Sequence, residues 1–101
     1  MIKLTDTQFN QFINFLENQA NESRKFYSEE PYGIRICSIC LPENERITIT
    51  VGESDRSKRA LIKVETPFLE RVESLNYAQA VELVNAADHF RKIRDLTLII
   101  S

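Results

Sequence analysis

The run RITITV, residues 46–51, alternates strictly between a polar and an apolar side chain. In a strand, successive side chains point to opposite faces, so Ile47, Ile49 and Val51 reach one side while Arg46, Thr48 and Thr50 reach the other. Wound as a helix, the same residues would scatter their apolar groups around the cylinder. The chain is thereby committed to a sheet with one covered and one uncovered face. The remaining residues have to supply the cover.

Two neighbouring runs fit the same sheet. Residues 33–40 read GIRICSIC and residues 59–65 read RALIKVE. The segments LPENE and GESDRSK join the three runs, and both are rich in turn formers. Connections this short impose antiparallel hairpins. Matching faces by composition places Ala60, Ile62 and Val64 on the covered side, with Arg59, Leu61, Lys63 and Glu65 opposite. In the first run Ile34 and Ile36 are expected inward, with Ser38 and Cys40 in phase. That leaves Arg35, Cys37 and Ile39 outward.

Two helices provide the cover. Leu4-Thr5-Asp6-Thr7-Gln8-Phe9 holds a capping box, with Thr5 as N-cap and Gln8 three residues on, and Leu4 and Phe9 placed as a hydrophobic staple. Phe9, Phe12, Ile13, Leu16 and Ala20 recur at helical spacing, which predicts a helix over residues 6–25. Pro31, in YSEEPYG, ends that pattern. A second capping-box-like pair, Asn76 and Gln79, opens another helix whose buried face is Tyr77, Ala80, Leu83, Val84, Ala87 and Phe90. Arg91, Lys92 and Arg94 follow near its C-terminus, where cations offset the helix dipole. Between sheet and helix, Thr66-Pro67 predicts a short helical turn over residues 68–74. Residues 97–100 offer a fourth strand.

With 101 residues the chain has room for one domain, residues 1–101, and not for two. Only two glycines and three prolines occur, so most of it belongs in regular elements. The expected fold class is α+β: a two-layer domain with a three- to four-stranded antiparallel sheet and two helices on one face. The order is α-β-β-β-α, with an optional terminal β. This order recurs in unrelated proteins and assigns no activity by itself.

Residues that carry chemistry are sparse. Cys37 and Cys40 are spaced C-x-x-C, but residues i and i+3 of a regular strand face opposite sides and cannot chelate one ion. The one histidine, His89, falls on the helix side away from the core face. A structural zinc is short of ligands within one chain, although a dimer pooling two such pairs would supply four. A redox pair belongs at a helix N-terminus, which lowers the thiol pKa. Cys40 is expected to be a small buried hydrophobe. Glu29 and Glu30 read as a solvated turn, and no nucleophile motif or glycine-rich phosphate loop is present. No metal or cofactor is expected, and catalysis is not expected either. The opening MIKLTDTQFN lacks a basic region followed by an apolar run, and no stretch is long enough to span a bilayer. Two cysteines make no disulfide framework, so the expected location is the cytoplasm with both thiols reduced.

The expected function is a small non-catalytic binding protein that occupies a surface of a larger macromolecule. Inhibitors, immunity proteins and phage or mobile-element accessory proteins have this size. Arg35, Arg46, Arg59 and Lys63 collect on the uncovered face, Ile39 and Leu61 add apolar contact, and Arg56 and Lys58 extend the footprint from the adjoining loop. These residues suit a larger protein with an acidic surface. A solvated antiparallel face also carries arginine and threonine, so Ile39 and Leu61 are what mark a contact surface. The alternative is a nucleic-acid-associated regulator that contacts phosphates through Arg56, Lys58, Arg59 and Lys63. Against it stand a net charge of −2 and a face without aromatic groups on which bases stack. A homodimer joined through sheet edges or outer faces is the third expectation.

Overall fold

The computed structural model describes residues 1–21, 26–27, 33–54 and 57–100. Helix α1 (Asp6–Asn21) precedes strands β1 (Phe26–Tyr27), β2 (Ile34–Cys40), β3 (Arg46–Ser54), β4 (Ser57–Glu65) and β5 (Glu70–Ser74), and helix α2 (Tyr77–Ile100) closes the order. The strands form one antiparallel sheet with neighbours in sequence order. β1 is only two residues long, so four strands make the body of the sheet. The α+β class read from the sequence is the class observed.

The first helix start is the expected capping box. Thr5 N–H donates to Gln8 Oε1 at 3.0 Å, and Gln8 N–H donates to Thr5 Oγ1 at 3.2 Å. The second start keeps only half of its box. Asn76 Oδ1 accepts from Gln79 N–H at 3.2 Å. The Gln79 side chain turns instead to Leu4, accepting from its N–H at 2.8 Å and donating to its carbonyl at 2.7 Å. Asn76 N–H meanwhile donates to the Ile2 carbonyl at 2.9 Å. A reciprocal local cap has been exchanged for a clamp that holds the chain entering α1 against the start of α2.

The β3–β4 hairpin is longer than composition predicts. Gly52, Glu53, Ser54, Ser57 and Lys58 belong to the ladder, with Ser54 opposite Ser57. A polar segment extends a ladder once the alternating residues behind it have set the register. The β2–β3 connection closes through Leu41 N–H to the Glu45 carbonyl at 2.8 Å. A single 3-10 turn, Pro42–Asn44, fills it, with Glu43 and Asn44 in the left-handed region at φ 65° and 61°.

Two expected elements differ. The helical turn over residues 68–74 is strand β5, because Thr66 closes a hairpin instead. Its Oγ1 accepts from Leu69 N–H at 3.0 Å and Phe68 N–H at 3.3 Å, and its own N–H donates to the Leu69 carbonyl at 2.8 Å. Residues 97–100 continue α2 instead of forming a strand. No glycine or proline interrupts the chain after Asn76, so nothing breaks the helix there.

Both helices contribute to one core on one face of the sheet. Leu16, Leu83 and Val84 meet Cys37, Ile39, Ile49, Val51 and Ala60, with Ala80 and Ala87 buried among them. The alanines let α2 approach the sheet closely, and each fully buried Leu, Ile or Val contributes about 1.5–3 kcal/mol. Ile2 forms a parallel bridge with Leu75, so the N-terminal segment runs along the end of β5.

Candidate interaction surface

The ladder registers assign each strand residue to a face. On the helix side, Ile39, Ile47 and Val64 stand in one row, Cys37, Ile49 and Ile62 in the next, and Arg35, Val51 and Ala60 in a third. The faces expected for β3 and β4 are therefore observed, and those expected for β2 are reversed. Arg35, Cys37 and Ile39 point inward, and Ile39 is only 1% exposed. Cys40 stands opposite Arg46. Directly paired residues share a face, so an outward Arg46 brings Cys40, Ser38, Ile36 and Ile34 outward too. Ile39 therefore belongs to the core, not to a contact surface. Cys37, not Cys40, is the buried thiol.

Arg35 is drawn inward by α2. Its guanidinium lies 2.7 Å from Asp88 Oδ2, with Arg91 at 3.8 Å from Oδ1 of the same carboxylate. Burial pushes the Cys37 thiol up to about 12; the Asp88 carboxylate adds to that rise and Arg91 opposes it. Such a thiol stays protonated and is a poor nucleophile or metal ligand. Its partner in the C-x-x-C pair lies across the sheet. His89 is exposed on α2 and stacks edge-on against Phe90. Among the described residues, no three His, Cys, Asp or Glu side chains converge to hold an ion.

The opposite face carries no helix among the described residues. Its rows, from one end, are Cys40–Arg46–Glu65–Glu70, then Ser38–Thr48–Lys63–Val72, then Ile36–Thr50–Leu61–Ser74, and last Ile34–Gly52–Arg59. Ile34, Leu61 and Val72 are between 39% and 50% exposed. Ser38 and Thr48 hydroxyls share a hydrogen bond of 3.1 Å. Lys63 sits between Glu65 at 3.6 Å and Glu70 at 3.4 Å, which neutralises a cation expected to be open. Arg46 and Arg59 stay exposed at opposite ends, with no ion pair among the described residues. The face is thus apolar and hydroxyl-lined at its centre, with a cation at each end.

The sequence-predicted site residues therefore divide. Arg46, Arg59, Leu61 and Lys63 share the outer face; Arg35 and Ile39 lie on the inner one. Lys58 is exposed in β4 on the inner-face phase, beyond the core. Arg56 lies outside the described residues. Sequence reasoning missed Ile34, Ile36 and Val72, the first two through the reversed phase and the third because β5 was read as helix. Thr66-Pro67 was the available signal, since a Ser or Thr side chain that bonds back to the backbone initiates a turn. A cleft of about 430 Å³ opens beside Leu61 and is lined also by Arg59, Lys58 and Tyr77.

No protein-family model matches this chain, and no curated protein or solved structure is detectably similar to it. No helix among the described residues is long and apolar enough to cross a membrane.

Proposed function

We propose that this chain is a non-catalytic protein-binding module that acts by occupying a surface of a larger protein. The supporting observation is the outer face, which carries no helix among the described residues and on which Ile34, Ile36, Leu61 and Val72 lie in adjoining rows. Two pairs of apolar side chains on one sheet face, Ile34 with Ile36 and Leu61 with Val72, divided by Thr50 and Gly52 of β3, need more explanation than a single exposed leucine. Arg46 and Arg59 flank them and favour a partner with an apolar centre and an acidic rim. A blocking action, as of an inhibitor or immunity protein, is the mechanism such a surface allows without catalysis.

The test compares wild type with Leu61→Asp and with Arg46→Glu/Arg59→Glu. Each is used to capture proteins from nuclease-treated lysate of the native host, and the captured protein is then titrated in purified form. Stability should change by less than about 1 kcal/mol in all variants, because the sites are exposed. A purified partner that binds wild type and loses about tenfold or more in affinity for both variants supports the reading. Equal binding to all three chains overturns it.

A further inference from the structure

β4 runs on past the end of β5. Ser74, the last residue of β5, stands opposite Leu61, and Leu75 N–H donates to the Ala60 carbonyl at 2.8 Å before the chain enters α2 at Tyr77. Lys58 and Arg59 pair with β3 but not with β5. On the side that β5 has left, a cleft of about 430 Å³ opens. Ala60 and Leu75, at 4% and 2% exposed, lie deepest in it. Met1, Leu61 and Tyr77 give it apolar walls, and Lys58 and Arg59, both exposed, stand at its rim. Peptide groups alternate between the two sides of a strand. The Ala60 carbonyl faces the β5 side, so Lys58, two residues back, turns its N–H and C=O to that side as well. No Asp or Glu is among the described residues that line the cleft. Glu53, opposite Lys58, belongs to β3, on the other side of β4.

We propose that this cleft binds a small organic carboxylate, an anionic head on a compact apolar body. The Arg59 guanidinium offers a forked pair of donors to the head, and Lys58 adds a second positive charge and a backbone N–H. α2 is 24 residues long and starts at Tyr77, so the positive end of its dipole adds to the same field. The apolar body rests on Ala60, Leu75 and the Tyr77 ring, and their contact removes apolar surface from water. Small-ligand sites join an apolar lining to a few convergent polar groups, and the cleft has the volume of such a site. Inorganic phosphate satisfies the rim but not the floor. A neutral aromatic satisfies the floor but not the rim, and an ammonium is repelled at the rim. A carboxylate with an apolar body satisfies both. The site needs only the isolated chain, so it is tested separately from any protein partner of the outer face.

Titration of the full chain with phenylacetate, followed by amide NMR at constant ionic strength, tests the proposal. The amides of Lys58, Leu61, Ser74 and Leu75 should shift saturably, with a dissociation constant in the low millimolar range or tighter, as for a fragment of this size. 2-Phenylethanol, phenethylamine and inorganic phosphate should each bind about tenfold more weakly or not at all. Arg59→Glu reverses the rim charge, and Ser74→Glu brings a carboxylate into the cleft. Each should weaken phenylacetate about tenfold or more. Both sites are exposed, and the dispersion of the amide spectrum shows that the variants fold. Lys92→Glu makes the same charge change as Arg59→Glu on the exposed side of α2 and should leave the affinity unchanged. No saturable shift up to tens of millimolar phenylacetate overturns the proposal. So does equal binding of 2-phenylethanol, or an equal loss in Lys92→Glu and Arg59→Glu. Shifts of the same amides on raising the protein concentration without ligand would give the cleft to a second copy and also overturn it.

Discussion

Arg35 and Arg59 stand in neighbouring registers at the same end of one sheet, opposite Val51 and Gly52 of β3. Arg35 faces α2, where it has lost most of its water and is held by Asp88 at 2.7 Å. Arg59 faces away and keeps its hydration. The same guanidinium is a fastening on one face and an open charge on the other. A charge taken out of water has to be paired, whereas an exposed one is free to meet a partner. The difference lies in what covers each face, not in residue type.

That contrast can be broken most forcefully at β2. Ile39→Ala should cost about 2–5 kcal/mol, whereas Ile36→Ala, on the other face, should cost about 1 kcal/mol or less. Urea denaturation of the two variants checks this, and the reverse ranking would put β2 back in the opposite phase. Next in size is Asp88→Ala, which leaves Arg35 without its carboxylate. A loss of about 1–2 kcal/mol is expected, discounted because both side chains retain some solvent. Arg59→Ala should change stability by about 0.5 kcal/mol or less in the same assay. If the two substitutions cost the same, Arg35 is not a fastening.

The smallest effect at ordinary pH, and the most specific to the inner face, belongs to Cys37. Its thiol is pushed from 9.0 up to about 12 in the folded chain. Below pH 9 both states hold the proton and the thiol costs nothing. As pH rises from there towards the folded value, the unfolded chain releases its proton and the folded one does not. Stability should then fall by about 1.4 kcal/mol per pH unit from this group alone. Cys37→Val should remove that part of the slope as pH rises above about 9. Identical slopes in wild type and variant would show a thiol as accessible as one on the outer face.

Where sequence and structure agree, a signal repeats within a few residues. The Thr5–Gln8 box closes on itself, the alternation of residues 46–51 names its own faces, and the α2 spacing from Tyr77 to Phe90 marks the buried side. Where they differ, two parts of the chain have to be compared. In GIRICSIC both phases carry apolar side chains, so composition does not choose between them; pairing with β3 does. Gln79 has the spacing of a local cap but finds Leu4, distant in sequence. Arg35 reads as a surface cation until Asp88 arrives from α2. Of the candidate surface, Arg46, Arg59, Leu61 and Lys63 were legible from alternation, while Ile34, Ile36 and Val72 needed the register.

By itself, the sequence determined the helices, the antiparallel sheet and the apolar faces of β3, β4 and both helices, because periodicity expresses side-chain direction along one element. The tertiary structure alone decided the phase of β2 and the neutralisation of Lys63 by Glu65 and Glu70. It also decided which of the two thiols is buried. Each of these depends on which groups from other strands and helices come opposite. Register is a relation between segments, and a one-residue difference in it exchanges every inward side chain for an outward one.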